Sequence, residues 1–144
     1  MKKIISLLSV VMLLCLVGCS STVTQTEKNT QEENKVLSLV GNWKQVNSNE
    51  QKSYQKAVIS EDCIEIYWVF EEDDTEALYW AGTYEAPTSN YKEYKWASVN
   101  DKEKTGTSLL ASGDETKEFV YKDGVISYSA SAFGVTQTIK LGKE

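Results

Sequence analysis

From Val36 to the C terminus, short runs of aromatic and β-branched residues alternate with polar turns. No run beyond Leu39 keeps a helical period. This pattern restricts the segment to antiparallel β structure. The clearest run is Cys63–Phe70. Ile64, Ile66, Trp68 and Phe70 share one parity, and Cys63, Glu65, Tyr67 and Val69 share the other. Successive strand side chains point to opposite faces, so the first set is expected in a core. Similar runs are expected over 36–46, 57–60, 77–84, 91–99, 106–111, 118–122, 125–132 and 135–141. Residues 71–76 form an acidic hairpin tip, and residues 100–105 a charged turn. Asp123-Gly124 lies between two runs and suits a two-residue type I′ turn, which needs positive φ at both positions. Eight or nine consecutive strands with short connections favour a meander that curls to hide its edges.

The N terminus is different in kind. Met1, Lys2 and Lys3 precede an apolar run over 4–17, about fourteen residues, where a crossing helix needs roughly twenty. The run therefore reads as a signal-peptide core. It ends in Leu16-Val17-Gly18-Cys19, which resembles a bacterial lipobox. The resemblance implies cleavage between Gly18 and Cys19, with a diacylglyceryl group on the Cys19 thiol and further acylation, as with palmitate. Two acyl chains anchor stably where one is marginal. Residues 20–35 carry one apolar residue, Val23, and no glycine or proline, so they read as a disordered tether. A short helix near residues 31–39 is the alternative there. The expected organisation is a leader over 1–18, lipidated Cys19 with a tether to residue 35, and an all-β domain over 36–144.

All fifteen bases are lysine, and histidine is absent. No Ser-His-Asp or Cys-His arrangement can form. Bidentate guanidinium recognition of phosphate or bases is also excluded. Losing Lys2 and Lys3 with the leader takes the formal charge from −6 to about −8. Such a charge opposes binding to nucleic acid and to anionic lipid alike. Beyond Cys15 and Cys19 one cysteine remains, Cys63, so no intrachain disulfide and no Cys/His zinc site are expected. Its place in an apolar run argues for burial.

Gly41-Asn42-Trp43 opens the first run and is similar to the Gly-X-Trp of lipocalin-like (calycin) barrels. The resemblance implies a lipocalin-like barrel, closed or half-open, with Trp43 plugging one end. In that family an arginine usually packs over the tryptophan, and Lys140 is the expected stand-in here. The whole chain is also similar to small Gram-positive or prophage-encoded lipoproteins.

Trp43, Trp68, Trp80 and Trp96, with eight tyrosines, are dense for so short a domain. They are candidates for a ligand pocket or a barrel end, while large rings also fill thin β cores. Ala81, Gly82, Ala97, Ala111, Ala130 and Ala132 would leave room for a cavity where they face inward. The acidic run 71–76 lacks the glycine and spacing of a calcium loop, so no metal is expected. Glu65, Glu85, Glu93 and Glu118 are the carboxylates nearest to strands. Without histidine only a Ser-Lys pair could supply a nucleophile, and no Ser-X-X-Lys sits at a strand-to-helix turn. No catalytic residue and no cofactor are expected. The expectation is a monomeric, non-enzymatic lipoprotein on the extracytoplasmic face of the cell membrane. It would bind a small apolar ligand, a glycan or a surface protein. The alternative is a protein-interaction module that excludes superinfecting phage.

Overall fold

The computed structural model describes residues 35–132 and 134–144. The expected leader, the lipidation site at Gly18 and Cys19, and the tether as far as residue 34 lie outside the described residues. Eight strands follow: β1 Gly41–Gln45, β2 Ser53–Ile59, β3 Cys63–Phe70, β4 Thr75–Thr83, β5 Glu93–Val99, β6 Thr116–Lys122, β7 Val125–Ala132 and β8 Val135–Lys143. One short helix, α1 Lys102–Thr105, joins β5 to β6.

The strands form one antiparallel sheet in the order β4-β3-β2-β1-β8-β7-β6-β5. Each strand neighbours those beside it in sequence, and β1 also pairs with β8. The exceptions are β4 and β5, which are the two edges. A sheet this wide must twist and curl. Here it curls into a half-barrel whose edges meet at a single bridge, Gly82 with Asn100. The all-β meander expected from the alternation is what forms.

Local chemistry sets the details. Asp123 and Gly124 have φ of +50° and +84°, as a type I′ turn demands. They join Lys122 directly to its partner Val125. Between β3 and β4 the register shifts: Ile66 faces Trp80, but Tyr67 faces Leu78. Tyr79 is the extra residue of this bulge. A bulge breaks the period of two, so Tyr79 and Trp80 both turn inward and are buried.

Two expectations fail. Residues 106–111 are not a strand. Val99 of β5 pairs directly with Thr116 of β6, so the chain between them loops out of the ladder. Asp101 instead caps α1, its carboxylate accepting from the backbone N–H of Glu103 and Lys104. Nor are residues 36–39 helical: that stretch is irregular, and the Leu37 N–H donates to the Ser89 carbonyl at 3.2 Å.

The core runs along the inner face, with Trp43, Ile64, Ile66, Trp80, Phe119, Ile126, Ile139 and Leu141 almost wholly buried. The whole sheet and its core lie within the compact unit Glu32–Glu144.

Candidate functional site

The inner face is filled unevenly. Ile64 and Ile66 are sealed, whereas Trp68 and Phe70, further along the same face of β3, are only half-buried. Beyond them is a cavity of about 470 Å³ at the mouth of the half-barrel. Its walls include Trp68, Phe70, Tyr79, Leu109, Leu110 and Ala111. Ser53 of β2 and Ser131 of β7 stand at its rim. The volume falls in the range of small-molecule sites, about 300–1,000 Å³.

The connection between β5 and β6 supplies one wall. It is pinned along the inner edge of β4. The Ser108 hydroxyl donates to the Leu78 carbonyl at 2.6 Å. The Ser112 N–H donates to the Tyr79 carbonyl at 2.8 Å. Asn100, nearly buried, donates to the Asp114 carbonyl at 2.7 Å and accepts from the Thr105 hydroxyl at 2.6 Å. Between these anchors Leu109 is fully exposed.

Next to Tyr79 the core holds a buried polar cluster. Gln55 is wholly buried, one inward position deeper than Ser53 on β2 and in register with Trp68. The Tyr128 hydroxyl donates to Gln55 Oε1. Gln55 Nε2 and the Tyr79 hydroxyl are buried without hydrogen-bond partners. Tyr79 meets the Trp68 ring edge-on at 5.8 Å and stacks on Tyr128 at 6.4 Å. Burial holds the Tyr128 hydroxyl well above its ordinary pKa, so it stays protonated and donating.

Lys117 is the buried cation of this region. Its ammonium lies 5.3 Å from the Tyr79 ring centre and 5.2 Å from that of Trp80. It donates to Asp114 Oδ2 at 2.8 Å and to the Ser129 carbonyl at 3.2 Å. The Asp114 carboxyl is lowered from its usual pKa, chiefly by that Lys117 bond and then by the Ser112 hydroxyl.

Of the four tryptophans, only Trp68 borders the cavity. Trp43 is sealed in the core, its Nε1–H donating to the Leu39 carbonyl at 2.8 Å. The ammonium above Trp43 belongs to Lys143, 5.7 Å from its ring, and not to the expected Lys140. Lys140 falls one residue from Ile139 and Leu141, on the outer parity, while Lys143 pairs directly with Trp43 across β1 and β8. Trp80 donates across the seam to Ser98 Oγ at 3.0 Å. Trp96 stacks on Phe119 with ring centres 5.0 Å apart. Of the small residues, Ala111 lines the cavity, Gly82 lies at the seam and Ala97 faces outward.

The other candidates sit elsewhere. Cys63 is half-buried, its sulfur 2.9 Å from the Ser60 hydroxyl. Glu65 pairs with Lys104 at 2.6 Å and accepts from Tyr67 at 2.8 Å. The Lys104 bond, then the Tyr67 bond, lowers the Glu65 pKa. The Tyr67 hydroxyl rises to about 12, first by burial and then through its bond to Glu65. Glu93 is lowered as well, chiefly by Lys122. A glycosidase acid needs the opposite shift. At the acidic hairpin tip, Glu72 and Glu76 pair with Lys52 and Lys56. Among the described residues no three acids or cysteines converge as a metal site.

Tyr79, on the cavity wall, and the buried polar residues Gln55 and Lys117 are not among the candidates the sequence offers. Gln55 and Lys117 carry a visible signal: each is polar on the inward parity of its strand, between or beside apolar partners such as Ala57 and Phe119. Tyr79 carries none, because the bulge changes its parity.

Comparison with known protein families, curated proteins and solved structures finds no match to the chain.

Proposed function

We propose that the protein is a lipid-anchored, extracytoplasmic binding protein whose half-barrel holds a small, largely apolar ligand at its mouth. Cys19 carries the diacylglyceryl anchor, with palmitate among its acyl chains, and the acidic β domain stands off the membrane on its tether. The observation that carries the reading is the cavity of about 470 Å³ walled by Trp68, Phe70, Leu109 and Leu110, with Ser53 and Ser131 beside them. Apolar walls with a few convergent polar groups are the usual form of a ligand site.

A surface-protein or phage-exclusion module would instead call for a contiguous exposed apolar patch. The adjacent exposed pair, Leu109 and Leu110, lines the cavity itself, which favours the ligand reading. The function requires no catalytic residue and no cofactor.

Two measurements test this reading. Metabolic labelling with an alkyne fatty acid should mark the protein and fail in Cys19→Ser; label retained in that variant removes the anchor. Native mass spectrometry of the protein drawn from its own membrane should find a non-covalent small molecule in stoichiometric amount. A bare chain that also takes up no apolar probe removes the ligand.

A further inference from the structure

Leu109 borders the mouth cavity, yet its side chain is wholly in water. Lone surface leucines are ordinary. This one is carried by a turn that is held firmly at both ends and weakly between. At one end the Ser108 hydroxyl donates to the Leu78 carbonyl at 2.6 Å. Beyond the other, Asn100 Nδ2 donates to the Asp114 carbonyl at 2.7 Å. The turn itself, residues 108–111, is closed by the Ala111 N–H donating to the Ser108 carbonyl at 3.4 Å, which is longer than the usual backbone bond.

Gly113 adds a joint. Its φ lies outside the left-handed region, and a Cβ there would meet nothing within 4 Å. Neither the backbone nor the packing requires glycine at this position, although glycine gives up the most freedom on ordering. Its carbonyl accepts from the exposed Lys102 ammonium at 3.4 Å, another long bond. Gly106 is the opposite case. A Cβ there would lie 2.7 Å from the Lys102 carbonyl, so the end of α1 is tightly fixed.

We infer that the turn 108–111 is a lid, pivoting between the Ser108 anchor and Gly113 to lay Leu109 over a ligand in the cavity. Ser112, next to the pivot, keeps its bond to the Tyr79 carbonyl. An apolar ligand surface beneath Leu109 supplies the contact that takes this side chain out of water and drives the swing. The lid rests on the ligand reading above and adds how the site retains what it binds.

The test uses the full-length protein in detergent micelles, with octane as the probe. Tryptophan fluorescence reports uptake, since Trp68 borders the cavity. In Leu109→Cys, alkylation of the new thiol by iodoacetamide, mapped by peptide mass spectrometry, reports the lid. Octane should slow that alkylation by about tenfold. It should leave the thiol of Val58→Cys, at a half-exposed position between buried Ala57 and Ile59, as reactive as before. Adding Gly113→Ala to Leu109→Cys should restore most of the reactivity. In Leu109→Ser octane should dissociate about tenfold faster, the worth of burying most of a leucine side chain, and associate as in the parent. Uptake with the thiol still fully reactive, protection undiminished by Gly113→Ala, or unchanged release from Leu109→Ser overturns the lid and leaves the ligand site standing. No fluorescence response to octane overturns both.

Discussion

The two ends of the half-barrel are built from the same alternation and finished differently. At one end the chain preceding β1 crosses the opening. Leu39 is buried there and takes the indole N–H of Trp43. Tyr91, Tyr94, Trp96 and Phe119 continue the closure as a stack with ring centres 5.0 to 5.9 Å apart. Tyr84 meets Trp96 edge-on at 5.4 Å. At the other end the crossing segment is the β5–β6 connection, and it stays at the wall. Leu109 points to solvent, and Trp68 and Phe70 remain half-covered. Inward-facing aromatic residues make a core only where another segment covers them. Where none does, they make a site.

The contrast can be broken most severely at the packed end. Trp43→Ala should cost about 3–5 kcal/mol, because a sealed ring leaves a void that its neighbours cannot fill. Trp68→Ala should cost clearly less, since that ring borders the cavity and is only partly buried. Chemical denaturation of both variants checks this, and equal losses would erase the distinction between the ends.

The seam gives the next effect. A Cβ on Gly82 would lie 2.5 Å from the Val99 carbonyl and 2.9 Å from Trp80 Nε1. Gly82→Ala should therefore force the β4 and β5 edges apart and cost about 1–3 kcal/mol. Amide hydrogen exchange should quicken first at Asn100 and Asp101, whose N–H groups are bound nearby.

A smaller effect is set by pH. The Asp114 pKa is lowered in the folded chain, so its contribution is complete above the unfolded carboxylate value of about 4 and is lost as pH falls through the folded value. Asp114 is more than half exposed, so the loss should be about 1 kcal/mol or less. Melting temperature followed from pH 6 towards pH 2 should fall at the acid end, and Asp114→Asn should flatten part of that fall. Tyr79→Phe should change stability least of all, by a few tenths of a kcal/mol, in either the neutral or the stabilising direction. A clear loss would mean that the hydroxyl has a structural partner.

Much of this architecture is legible in the sequence, for physical reasons. The alternation at Cys63–Ile66 and the Asp123-Gly124 turn act locally and survive folding, whereas at the open end Trp68 and Phe70 are only half-buried and Val69, of the other parity, is buried. What is not legible depends on contacts distant in sequence. The bulge that turns Tyr79 inward exists only in the pairing of β3 with β4. Residues 106–111 look like a strand until β5 and β6 are seen to pair without them. Lys143 rather than Lys140 covers Trp43 because of the β1–β8 register. Gln55 and Lys117 are readable as polar residues on inward positions of their strands.

The most direct test of the account is the two-dimensional nitrogen–proton spectrum of the unit Glu32–Glu144, in which four indole N–H signals report on four places. Assigned by single Trp→Phe variants and titrated with an apolar probe such as octane, the Trp68 signal should shift strongly and saturably. Those of Trp43 and Trp96, at the packed end, should hold still. A titration that moves Trp43 and leaves Trp68 in place, or moves none of the four, would contradict a ligand site at the mouth.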